Sequence, residues 1–174
     1  MRKIIGFKLV IRLHEVKRRA KKLKLELPAD PELQKLLDAA AKTLQPGVLF
    51  DTFKHPDPDQ PLLSPMPGLA YSVVLATLGE RFSAPEPLAN VVRDVALDEA
   101  VRFATQLLED EAAKDVCELS PINTLNDGPA LEAVVRKLEG SKIGVALDGD
   151  ALRPAATLAV SLSWLSKSKA KKQK

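Results

Sequence analysis

Five prolines, Pro56, Pro58, Pro61, Pro65 and Pro67, crowd the stretch from His55 to Pro67. Proline fixes φ and carries no amide hydrogen, so this run can neither enter a sheet interior nor continue a helix. Regular elements must therefore stop before it and start again after it. The segment reads either as a surface loop or as the remnant of a substrate-facing arm. Asp57 and Asp59 read as exposed turn residues and His55 as an exposed loop histidine. With 174 residues, the two flanking stretches fit one domain, which buries roughly 70% of the surface its unfolded chain exposes. Apolar residues make up 45% of the chain and aromatics only 4%, so the core is built mostly of Leu, Val and Ala.

Before the proline run, Phe7, Leu9 and Ile11 alternate with Lys8, Val10 and Arg12, which predicts a strand over Ile4 to Leu13. A short basic helix follows from His14 to Leu25, with Val16, Ala20 and Leu23 inward. Asp30-Pro31-Glu32 is a helix start, with a capping residue, a first-turn proline and an acid at the positive end of the dipole. That helix runs to about Leu44 and a strand follows over Val48 to Phe53. After the prolines, Tyr71 to Leu78 predicts a strand closed by Gly79. Leu88 to about Val116 is the longest helical pattern, with an acidic C-terminal half. A further helix follows Gly128-Pro129 and stops at Gly140, with Asn126 or Asp127 as its cap. Ile143 to Leu147 predicts a strand, Asp148-Gly149-Asp150 a tight turn, and Ala155 to Leu165 a β or buried run. Four or five strands mixed with four helices, not strictly alternating, predict a single α+β domain over 1–166 with a mixed or antiparallel sheet. The basic tail over 167–174 is expected to be disordered.

The net charge is +3, and positive charge is concentrated in the first 24 residues and the last eight. No aromatic residues are interleaved with these cations and no nucleic-acid motif is present, so a nucleic-acid partner is not expected. Cys117 is the sole cysteine, which excludes an intramolecular disulfide and fits a reducing compartment; it reads as a small buried hydrophobe. No apolar run approaches the ~18 residues that cross a bilayer. A cytoplasmic protein with no membrane partner is expected. No Gly-rich phosphate loop and no Cys/His zinc spacing occurs.

The run Ser120-Pro121-Ile122-Asn123-Thr124-Leu125-Asn126-Asp127-Gly128 is the least regular interior stretch of the second half. Its residues hydrogen-bond to or punctuate backbone. It reads either as a helix-to-helix connection with a cap or as a ligand-facing loop.

The order of elements and several local motifs resemble the activation domain of cobalamin-dependent methionine synthase and its short stand-alone relatives. His14-Glu15-Val16-Lys17-Arg18-Arg19 and the Pro-Glu-Leu helix at 31–33 resemble that family's N-terminal helices. Leu75-Ala76-Thr77-Leu78-Gly79 resembles its central strand, and Leu97-Asp98-Glu99-Ala100 the long helix after it. Glu118-Leu119-Ser120-Pro121 stands where the family has an Arg-x-Ser/Ala-Pro-Gly-Tyr loop. Ile143-Gly144-Val145-Ala146-Leu147 and Arg153-Pro154-Ala155-Ala156-Thr157 resemble its closing segments. The resemblance implies an accessory or reactivation module that binds S-adenosylmethionine and presents its methyl group to a reduced cobalamin. The cobalamin would be carried by a partner, a corrinoid protein or cobalamin-dependent methyltransferase. It implies Ser120, Pro121 and Asn123 at the ligand, Glu99 for the ligand amine and Arg153 as the cation for its carboxylate. It implies no catalysis by this chain alone. Glu118 stands at or near the family's Arg, and Ile122-Asn123 where it has Gly-Tyr. Two alternatives stay open: an interaction protein that keeps the fold without the ligand, and a small methyltransferase-like enzyme using the Ser120–Asp127 loop.

Overall fold

The computed structural model describes residues 1–167; the expected disordered tail lies outside the described residues except for Lys167, whose amide donates to the Val116 carbonyl at 3.2 Å. The fold is α+β. Its centre is an antiparallel sheet in the order β1-β2-β3-β8-β4, with β5 also on β8. The members are β1 (Arg2–Ile5), β2 (Gly47–Lys54), β3 (Ala70–Thr77), β4 (Cys117–Leu119), β5 (Asn123–Thr124) and β8 (Thr157–Ser166). A separate hairpin joins β6 (Ala146–Asp148) to β7 (Ala151–Arg153).

Alternation along the central strands assigns each sheet face a helix. Val48, Phe50, Val74, Ala76, Val160, Leu162 and Trp164 pack on α3 (Ala89–Lys114) through Ala100, Val101, Ala104 and Leu108. Leu49, Tyr71, Val73, Leu75 and Ala159 face the other way, onto α4 (Gly128–Lys137) through Ala130, Leu131 and Val134. A third cluster joins the first half of α3 to α1 (Leu13–Lys22) and α2 (Asp30–Ala41) through Val16, Ala20, Leu33, Leu37, Val92 and Ala96.

The expected strand over Ile4 to Leu13 is only its first half. Gly6, at φ +67°, turns the chain out of the sheet. Beyond it Phe7 stacks on Phe103 of α3 with ring centroids 4.3 Å apart, and Ile11 is buried. The alternation is that of an extended segment with one covered side, but the cover is a helix and no ladder forms. Leu23, expected inside, is 63% exposed because α1 ends one residue before it and Lys24 turns away at φ +55°. The expected strand at Ile143 is displaced: Gly140–Ile143 is a 3-10 turn, and β6 begins at Ala146. Asp148-Gly149-Asp150 makes the expected tight turn of the β6–β7 hairpin, with Gly149 at φ +64°.

The proline-rich segment is docked on the α4 side of the sheet. Leu63 is fully buried, and Met66 both donates to and accepts from the Ser163 hydroxyl, at 3.2 and 2.7 Å. Asp57 is no exposed turn residue. Its Oδ2 accepts from the Tyr71 hydroxyl at 2.6 Å and from Lys137 Nζ at 2.9 Å, and its side chain is 13% exposed. These bonds hold the Asp57 carboxyl down at about 2, with the Tyr71 hydroxyl the larger cause. Burial, then the bond to Asp57, pushes the Tyr71 phenol up. Lys137 also lies over the Phe53 ring, 4.1 Å from its centroid. His55, expected exposed, is half-buried.

Candidate functional site

The polar run after α3 is an edge strand rather than a free loop. β4 pairs Cys117 with Ser166 and Leu119 with Trp164; β5 pairs Asn123 with Ser161 and Thr124 with Val160. Between them Ser120 keeps the strand attached. Its amide donates to the Ser163 carbonyl and its hydroxyl accepts from the Ser163 amide, both at 2.8 Å. Ser120 is buried and Pro121, which has no amide to donate, is exposed. The Asn123 amide donates to the Ser161 hydroxyl at 3.3 Å. Asp127 then caps α4, accepting from the Ala130 amide at 3.1 Å.

Beside this edge a cleft of about 880 Å³ opens between α1, α3 and the sheet. Its floor carries Val95, Val101, Leu158 and Val160. Ile122 and Thr124 reach it from the edge strand, because Thr124 sits opposite Val160 on the α3 face. Asn123, one residue out of phase, turns to Ser161 and does not line it.

The rim holds four arginines, Arg12, Arg18, Arg19 and Arg102, and four carboxylates, Glu15, Asp98, Glu99 and Glu109. Glu99 is 19% exposed and takes Arg12 Nε at 3.1 Å and Arg102 at 3.5 Å. Glu15 takes Arg18 at 2.7 Å and Arg19 at 3.9 Å, and Arg19 also pairs with Asp98. The Arg18 hydrogen bond is the first cause that holds the Glu15 carboxyl below its ordinary range; the same bond raises Arg18. Such a rim offers guanidinium forks to a carboxylate and carboxylates to an amine within one opening. Among the described residues no three His, Cys, Asp or Glu side chains gather as a metal site.

Of the residues expected from the sequence, Glu99 lines the cleft. Ser120, Pro121 and Asn123 belong to the adjoining edge strand, with the Ser120 hydroxyl committed to the sheet. Arg153 is elsewhere, on β7, 69% exposed and 3.6 Å from Asp148. The sequence reading missed Arg12, Arg102 and the α1 arginines as rim groups. The local signal was the Glu99–Arg102 spacing, which places both on one helix face. No helix among the described residues is long and apolar enough to cross a membrane. No protein-family model matches the sequence, and no curated protein matches it.

Proposed function

We propose that the protein is an accessory binding module that takes S-adenosylmethionine in the α1–α3 cleft and serves a corrinoid protein or cobalamin-dependent methyltransferase. The observation that carries this reading is a convergence. Glu99 of α3, which the family resemblance marks for the ligand amine, lines the cleft, and Ile122 and Thr124 reach it from the stretch that holds Ser120, Pro121 and Asn123, the other residues that the resemblance marks there. An amino-acid head group suits the alternating guanidinium and carboxylate rim, and the apolar floor suits the face of the adenine ring. Glu99, flanked by Arg12 and Arg102, is the acid for the ligand amine, and the guanidinium of Arg12 or Arg102 replaces Arg153 as the cation for its carboxylate.

Titration calorimetry with S-adenosylmethionine tests this. Saturable binding is expected. Glu99→Gln should weaken it by about 10- to 100-fold, the value of a hydrogen bond to a charged group. Absence of heat at millimolar ligand refutes the reading.

A second reading, an interaction protein without the ligand, is favoured by one feature: Ile122 stands 50% exposed at the cleft while Glu99 is already held by two arginines. Its signature is no response to S-adenosylmethionine together with a partner complex that weakens steeply with salt.

A further inference from the structure

A second concavity, of about 530 Å³, lies away from the arginine cleft, where the chain leaves β1 and passes the connection from α2 to β2. It is a seam between the three hydrophobic clusters. Leu44 packs on the α1–α2 cluster, Phe7 on the α3 side of the sheet, and Ile143 on the α4 side; Leu9 touches the first two. The groove where these clusters meet at the surface is therefore lined mainly by apolar side chains. Ile5 stands on its wall with 62% of its surface exposed, a large aliphatic side chain facing solvent.

The only charged side chain among the lining residues is Lys8. Arg2 pairs with Glu111, Arg12 with Glu99 and Lys17 with Asp30, whereas Lys3, like Lys8, has no such partner among the described residues. Among the described residues Lys8 has no carboxylate within salt-bridge distance. An apolar groove with one unmatched ammonium at its wall selects a molecule with an aliphatic body and a single negative head. A polar zwitterion of the kind suited to the arginine cleft gains little here.

We infer that this groove is a binding site for an aliphatic monocarboxylate. The body lies along Ile5, Phe7, Leu44 and Ile143, and the carboxylate meets Lys8.

The test is a homologous series of hexanoate, octanoate and decanoate, each below its micelle concentration, followed by amide chemical-shift titration of the full chain. Affinity should rise about fourfold per added methylene, the factor for burying one CH₂. The shifts should centre on Gly6, Lys8, Leu44 and Gly47. Lys8→Met should weaken decanoate two- to fivefold, as for a partly exposed ion pair, and leave decanol unchanged. Ile5→Asp places a carboxylate on an already exposed position, so it should fold normally and abolish decanoate binding. The inference is overturned by an affinity that ignores chain length, by shifts that map to Arg12, Glu99 and Arg102 instead, or by a Lys8→Met variant that binds decanoate as the unaltered protein does.

Discussion

Replacing Tyr71 by Phe removes one oxygen from a fully buried ring and leaves its packing in place. That oxygen donates at 2.6 Å to Asp57, the residue that ties the proline-rich segment to the sheet. A hydrogen bond to a charged acceptor contributes about 1.5–3 kcal/mol, and Asp57 keeps Lys137 in the variant, so the loss belongs to the lower half of that range. For a domain of this size the melting point should fall by about 3–9 °C, taking about 2–4 °C per kcal/mol. The pH dependence gives a second, sharper readout. The native Asp57 carboxyl sits at about 2 against an ordinary value of 3.8. A depressed acid stabilises the fold when ionised; its contribution is complete above the unfolded value and disappears as pH falls from near 4 toward 2. The gap between the unaltered protein and Tyr71→Phe, measured by chemical denaturation followed by circular dichroism, should be widest at neutral pH and narrow through that window. A gap under 0.5 kcal/mol at pH 7, or one that stays constant down to pH 2, refutes the assignment of Asp57 as the pin.

Two further perturbations test the frame around the sites. Asp127→Ala removes the α4 cap and should cost about 0.5–2 kcal/mol in urea unfolding, with Asp127→Asn restoring most of it. Gly68→Ala should be the more damaging of the two: its Cβ would meet the Trp164 carbonyl oxygen at 2.5 Å, and neither backbone can yield without parting the Leu69–Trp164 hydrogen bond. Limited proteolysis should then cut between residues 55 and 69 in that variant and leave the unaltered protein intact there.

How far the sequence spoke for the structure depends on where the partners of each residue lie. α3, β2 and β3 were legible because long apolar patterns run between Pro and Gly stops, and their burial follows those patterns. Phe7, Leu9 and Ile11 showed the right alternation and the wrong element, since alternation reports an extended chain with one covered side whatever covers it. β4 and β5 are three and two residues long and contain no periodic signal; they are strands because β8 offers them a ladder. The role of Asp57 had no local sign at all. Its partners are Tyr71, 14 residues on, and Lys137, 80 residues on. The arginine cleft is of the same kind: Arg19 meets Asp98 across 79 residues, so the arginines of what reads only as a short basic helix prove to be part of a rim of paired charges.

The place of β8 in the sheet has a consequence for synthesis. β8 follows every strand it joins in the chain, yet it sits between β3 and the β4–β5 edge, and its hydroxyl from Thr157 reaches Thr77 across 80 residues. While the ribosome makes that interval, about 4–16 s at 5–20 residues per second, β3 is an open edge. That edge is apolar, with Tyr71, Val73, Val74 and Leu75 all fully buried once β8 arrives. A nascent chain stalled short of β8 therefore displays a sticky strand that the finished fold hides.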